Sequence, residues 1–136
     1  MSFSFDHLGV ATEDGAGLAS TFETLFDAPL VHEERFGGMT VRFLELDAGY
    51  FEILEPQEAG TISEFLSRHG PGIHHVALRT DDLVAALDRA RDAGVALVDE
   101  EPRPGAWGHD VAFIHPKSTG GVLIEYVEAA AAASEQ

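Results

Sequence analysis

The chain has 136 residues, 45% of them apolar, and no cysteine. This suffices for one domain with a buried core, and it excludes disulfides, thiolate metal sites and cysteine nucleophiles. Acidic residues outnumber basic ones 24 to 8, giving a formal net charge of −16, which argues against nucleic acid and anionic membranes as partners. Lys117 is the one lysine. Acidic excess with lysine almost absent suits a salt-rich cytoplasm, where the Debye length shrinks to about 3 Å at 1 M and self-repulsion is screened. The N-terminus lacks a basic stretch followed by an apolar run, and no apolar segment reaches the roughly 18 residues of a membrane span, so a cytoplasmic protein is expected.

Phe3 to Ala11 reads as a strand with His7 near its middle. Asp14 and Gly15 open a helix with Leu18, Phe22, Leu25 and Phe26 on one stripe, ended by Asp27 to Pro29. Three strands follow: Leu30 to Phe36, Met39 to Leu46 after the Gly37-Gly38 turn, and Tyr50 to Glu55, stopped by Pro56. A linker over residues 57–72 holds a short helix, with Thr61 and Glu64 as its capping box and Ile62, Phe65 and Leu66 as its apolar contacts.

The second half repeats the order. Ile73 to Arg79 is a strand, and Asp81 or Asp82 caps a helix with Leu83, Leu87 and Ala90 on one stripe, stopping at Gly94. Val95 to Asp99 is a strand, Pro102 to Gly108 a loop, Asp110 to His115 a strand, Pro116 to Gly121 a turn, and Val122 to Val127 the last strand. The Ala-rich tail, Glu128 to Gln136, is expected to fray. The chain therefore reads as an α+β protein of two tandem βαβββ modules, about 3–56 and 73–128, in a single domain.

Overlaying the halves pairs Phe5-Asp6-His7-Leu8-Gly9-Val10-Ala11 with Ile73-His74-His75-Val76-Ala77-Leu78-Arg79, so His7 matches His75. At the other end Phe51-Glu52-Ile53-Leu54-Glu55 matches Ile124-Glu125-Tyr126-Val127-Glu128, so Glu52 matches Glu125. A lone histidine in an apolar strand is ordinary core chemistry, and a glutamate there is ordinary strand alternation. Repetition of both at equivalent places singles them out. Neighbouring strand residues face opposite ways, so His75 turns to the shared cavity and His74 to the scaffold. Two imidazoles and two carboxylates related by a pseudo-twofold axis suit one divalent ion, such as Co, Mn, Ni, Zn or Mg. His32, His69 and His109 sit in polar or turn contexts and read as surface residues, whereas His115, before Pro116, lies near the expected pocket.

Several stretches carry a family resemblance: Asp6-His7-Leu8-Gly9-Val10-Ala11, Ile53-Leu54-Glu55-Pro56, Gly72-Ile73-His74-His75-Val76-Ala77, Asp81-Asp82-Leu83, and the long run Ala112-Phe113-Ile114-His115-Pro116-Lys117-Ser118-Thr119-Gly120-Gly121-Val122-Leu123-Ile124-Glu125. Together they resemble the vicinal oxygen chelate superfamily and, within it, the methylmalonyl-CoA epimerase family. The resemblance implies a curved, partly open mixed sheet around a metal site, with His7, Glu52, His75 and Glu125 as ligands. It also implies methylmalonyl-CoA as the substrate and a homodimer. The chain departs from that family at two places. Members often carry Gln where Glu52 stands, and some carry a catalytic Glu where this chain has Val41; Glu45 lies on the same strand face.

The implied reaction is epimerisation of methylmalonyl-CoA by removal and return of the α-proton through a metal-stabilised enolate, with Glu125 as acid/base. Lys117, Ser118 and Gly120 are candidates for holding an anionic group of the substrate, by side chain and by backbone N–H. Arg79, Arg103 and Lys117 are the cations available for the phosphates of coenzyme A. Two alternatives stay open: a glyoxalase I-type lactoylglutathione lyase, which also uses two His and two carboxylates, and a metal-free binding module of the same fold. A ring-cleaving dioxygenase needs two His and one carboxylate, and the fourth ligand argues against it.

Overall fold

The computed structural model describes residues 1–129. The chain divides into two compact units, residues 7–74 and residues 1–6 with 75–129, and the boundary falls inside the first and fifth strands. The fraying expected of the tail lies outside the described residues, apart from Glu128, which ends a strand, and Ala129.

In the first unit, β1 (Phe3–Ala11) leads to α1 (Gly15–Phe26), β2 (Leu30–Phe36), β3 (Met39–Leu46), β4 (Gly49–Pro56) and α2 (Thr61–His69). The strand order is β2-β3-β4-β1, with β1 parallel to β4 and the other neighbours antiparallel. One face of these strands is covered by α1: Ala19 and Ala28 pack with Leu44 and Ile53, and Leu18, Phe22 and Phe51 close around them. Asp14 caps α1 by accepting the Gly17 N–H at 3.0 Å. The expected apolar stripe is only partly the buried one. Leu25 is 64% exposed and Ala19 is buried in its stead, because the helix lies on small residues close to the strands.

Gly15, at the start of α1, has a steric reason. A Cβ there would run into the guanidinium of Arg42, which is held by Glu55 at 2.6 Å and Glu33 at 2.7 Å. Burial alone would lower the pKa of Arg42, but the two carboxylates outweigh it and raise it. Gly15→Ala is therefore expected to destabilise the fold, although Ala normally gains roughly 1 kcal/mol over Gly in a helix. Urea denaturation reads the sign directly, and a stabilised variant would show that Arg42 moves aside freely.

The cap of α2 differs from the sequence expectation. Thr61 is the first helical residue and Gly60 the cap, whose N–H donates to Ser63 Oγ at 2.8 Å. Glu64 instead pairs with Arg68 one turn on, at 3.1 Å. Ile62 and Leu66 are buried as expected.

The second unit repeats the plan with β5 (Gly72–Thr80), α3 (Leu83–Asp92), β6 (Arg103–Pro104), β7 (Asp110–Ile114) and β8 (Ile124–Glu128). The order is β5-β8-β7-β6, again with the first strand parallel to the last and the others antiparallel. Asp82, not Asp81, caps α3 by accepting the Ala85 N–H; Asp81 accepts the Ser2 N–H, which lowers its pKa. Leu83 and Leu87 pack on Ala112, with Leu97 and Tyr126 around them, and burial raises the pKa of Tyr126.

One expected strand is absent. Residues 95–99 form no strand, and only Leu97 bridges to Ile114. The Phe113 carbonyl accepts from both Val98 and Asp99 N–H, while the Phe113 N–H donates to the Asp99 side chain at 2.9 Å. A carboxylate thus takes the place of a ladder carbonyl, and pairing stops. The neighbouring strand is β6, inside the stretch expected to be a loop, and Pro104 sits without cost at its edge.

Candidate active site

Strand register decides which side chains share a face, because directly opposed residues point the same way. In the first unit Gly9 lies opposite Glu52, and Glu52 lies opposite Phe43 on its other side. His7, two residues before Gly9, therefore shares the face of Glu52, Phe43 and Val41, away from α1. His7 Nε2 lies 3.1 Å from Glu52 Oε1, both residues are buried, and the Phe43 ring meets the His7 ring edge-on at 5.6 Å.

The second unit builds the same arrangement. Glu125 lies between Ala77 on β5 and Phe113 on β7. His75 Nε2 is 3.1 Å from Glu125 Oε1, both are buried, and the Phe113 ring meets His75 at 5.7 Å and 77°. A small residue, Gly9 in one unit and Ala77 in the other, lies opposite each carboxylate. Each unit thus places one imidazole nitrogen and one carboxylate oxygen, buried together against a phenylalanine.

Phe43 and Phe113 belong to this unit of design, and the sequence reading passed over them. Aligning the glutamates alone does not show it, because three more residues separate Phe113 from Glu125 than Phe43 from Glu52. The ladder, which sets each phenylalanine opposite its glutamate, matches Val41-Arg42-Phe43-Leu44 with Val111-Ala112-Phe113-Ile114. The repeat therefore extends beyond the four residues first singled out.

The donor set fits a divalent ion of intermediate hardness. Ligands at adjacent corners of an octahedral coordination sphere with bonds of about 2.1 Å sit about 3.0 Å apart. Both His–Glu separations match that spacing. A neutral imidazole beside a carboxylate also avoids the cost of burying an unpaired charge.

The other expected residues lie elsewhere. Lys117 and Ser118 form a single 3-10 turn, Pro116–Ser118, between β7 and β8. The backbone N–H groups of Ser118, Thr119 and Gly121 donate within that turn, to His115 and Pro116 carbonyls, and Ser118 Oγ accepts from Ala96. Of the three residues expected to hold an anion there, Lys117, Ser118 and Gly120 are all exposed, and the Ser118 backbone N–H is already engaged while its hydroxyl can still donate. His115 Nδ1 accepts the Lys117 N–H and so shapes the turn. Of the other cations, Arg79 pairs with buried Asp6 at 2.8 Å, and Arg103 pairs with Asp99 at 3.0 Å while its guanidinium covers the Phe113 ring at 5.4 Å. His74 turns away from the His75 face and packs edge-on against Phe65 at 5.0 Å. His69 is exposed as expected. His32 and His109 are half-buried; His109 stacks on Trp107, and His32 pairs with Glu34.

No helix among the described residues is long and apolar enough to cross a membrane. Residues 6–113 match the family model described as the Glyoxalase/Bleomycin resistance protein/Dioxygenase superfamily. The ethylmalonyl-CoA/methylmalonyl-CoA epimerase of Cereibacter sphaeroides is 34% identical, over 88% of this chain and 93% of its own length. The crystal structure of the methylmalonyl-CoA epimerase from Mycobacterium tuberculosis superposes with a TM-score of 0.90 at 36% identity, covering 97% of this chain and 91% of that one. A variant of the Streptomyces coelicolor methylmalonyl-CoA epimerase, in complex with 2-nitronate-propionyl-CoA, superposes with a TM-score of 0.89 at 31% identity, covering 94% and 95%. The twice-built βαβββ plan and these matches over most of its length place the chain in the Glyoxalase/Bleomycin resistance protein/Dioxygenase superfamily, within its family of methylmalonyl-CoA epimerases.

Proposed function

We propose that this protein interconverts the two antipodes of methylmalonyl-CoA, with His7, Glu52, His75 and Glu125 together holding one divalent metal ion. One observation carries the reading: a buried His–Glu pair with a 3.1 Å separation is built twice, in the same ladder setting and against the same aromatic residue. Structural cores have no need to duplicate a buried ionisable pair, whereas an ion needing four donors does. The names of the relatives support the same choice of substrate. So does the ligand of the Streptomyces protein, since a nitronate is planar and anionic like a deprotonated α-carbon.

A divalent ion bound there supplies Lewis-acid withdrawal of charge, which makes the α-proton of the thioester easier to remove. Glu125 then takes that proton with its carboxylate, and the buried setting excludes competing water. Coenzyme A is anionic, so a chain of net charge −16 must hold it with local cations. Lys117 and Arg103 are exposed on the second unit and meet that need.

Solvent exchange tests the reading. In deuterium oxide the metal-loaded protein is expected to label the α-carbon of methylmalonyl-CoA and leave the hemithioacetal of methylglyoxal unchanged. Chelation should abolish labelling, and returning a divalent ion should restore it. Full-rate labelling by chelated, metal-free protein would sink the metal role. Turnover of the hemithioacetal instead would move the chain to the lyase reading.

A further inference from the structure

Inverting a carbon through a planar intermediate requires a proton to leave one face and another to arrive on the opposite face. Glu125 serves one face only. We propose that Glu34, held in place by His32, is the acid/base for the other face; this rests on the epimerase reading above.

The strand register carries the proposal. On β2, Glu34 lies directly opposite Val41 and His32 opposite Phe43. On β4, Leu54 and Glu52 lie opposite the same two β3 residues. Glu34, His32, Val41, Phe43, Glu52 and His7 consequently share one face of the first unit, the face that α1 leaves uncovered. The Phe43 ring touches His7 on one side, at 5.6 Å, and His32 on the other, at 6.1 Å. His32 Nε2 lies 2.7 Å from Glu34 Oε1, with the two side chains 28% and 27% exposed. An imidazole and a carboxylate thus sit one ring away from the proposed ligand pair, half-buried, beside Val41 and Phe43.

The other carboxylates of this unit serve less well. Glu33 and Glu55 are on the helix-covered face, bound to Arg42. Glu52 is a proposed ligand. Glu45 shares the face but is exposed at the strand end, opposite Tyr50.

The repeat sharpens the point. Arg103 lies opposite Val111 on β6 and β7, the ladder position that Glu34 occupies opposite Val41. The two units agree at the proposed ligands and diverge here. One presents a carboxylate with an imidazole, suited to moving a proton; the other presents a guanidinium, suited to holding an anion.

In one direction Glu125 accepts the α-proton and the C–H electron pair stays on the substrate as the enolate. Protonated Glu34 then delivers its proton to the opposite face. Solvent returns a proton to Glu34 and removes one from Glu125 before the next turnover, and the reverse reaction exchanges the two roles. His32, hydrogen-bonded to the carboxylate, fixes its orientation.

Glu34→Gln separates the two bases. Gln keeps the shape and a hydrogen-bonding oxygen for His32 but cannot carry the proton. Each antipode is incubated separately with metal-loaded protein in deuterium oxide. Interconversion should fall about 10²- to 10⁴-fold. Labelling should persist in the antipode served by Glu125 and vanish in the other, with metal content unchanged. A Glu45→Gln control should label both antipodes as the parent does. Labelling of both antipodes by Glu34→Gln at close to the parent rate overturns the proposal. Equal loss from both in a folded, metal-loaded variant does so too, as does the one-sided loss appearing in Glu45→Gln. A parent protein that labels neither antipode sinks the epimerase reading first, and this proposal with it.

Discussion

Glu125→Gln is expected to lower epimerisation of methylmalonyl-CoA by about 10²- to 10⁴-fold, the usual weight of a positioned acid or base. The side chain is buried, 3.1 Å from His75 Nε2, between Ala77 and Phe113 on its two flanking strands. Gln fills the same space and still offers an oxygen, so the fold and part of the metal affinity should survive. What it cannot do is take a proton from carbon. Glu52→Gln is the matched comparison, because Glu52 occupies the same ladder position in the first unit. An oxygen is all that its proposed ligand role requires. Its rate should fall far less. Rates measured at matched metal occupancy decide the matter. Equal losses in the two variants would mean that Glu125 acts only as a ligand, and a Glu125→Gln variant with unchanged rate would remove it from the chemistry altogether.

Much of this arrangement is legible in the sequence because strands write their faces in a period of two. His7 and His75 stand out as equivalent once the halves are overlaid, and Glu52 and Glu125 follow. What escaped was set by contacts that no period records. Residues 95–99 look like a strand, but the Asp99 carboxylate takes the Phe113 N–H and ends the pairing. Leu25 fits the stripe of α1, yet the helix settles on Ala19, because a small residue lets it approach Leu44 and Ile53. Thr61 looks like a cap, whereas Gly60 and Ser63 form it one residue earlier. His32 reads as a surface residue, and nothing singles out Glu34 within the strand Leu30 to Phe36. Only the register of β2 on β3 shows that they face Val41 and Phe43. Pairing between strands is non-local information, and single-strand patterns do not contain it.

His7→Ala and His75→Ala are expected to weaken metal binding by similar factors, each at least as large as the roughly 10- to 100-fold that supporting residues around a metal typically contribute. The reason is the repeat itself. Each histidine lies 3.1 Å from its glutamate and edge-on to a phenylalanine, at 5.6 Å in one unit and 5.7 Å in the other. If one ion takes all four donors, neither histidine is privileged, and titration of the parent should give one ion per chain. Two independent ions would behave otherwise. The parent would bind two per chain, and each single variant would keep one at full affinity. A dominant pair would give a third pattern, in which one histidine is dispensable and the other is not. Stability should respond in step with metal binding. Removing either imidazole leaves its carboxylate buried without that neighbour, and breaking a buried pair typically costs about 3–5 kcal/mol. Denaturant titrations with and without the metal separate that local cost from the linked loss of the ion. The stabilisation an ion confers grows with its concentration over Kd, so it should shrink in both single variants and vanish in the double variant. Unequal behaviour of the two histidines would show that the duplication is an inheritance of the fold and that only one unit still binds the ion.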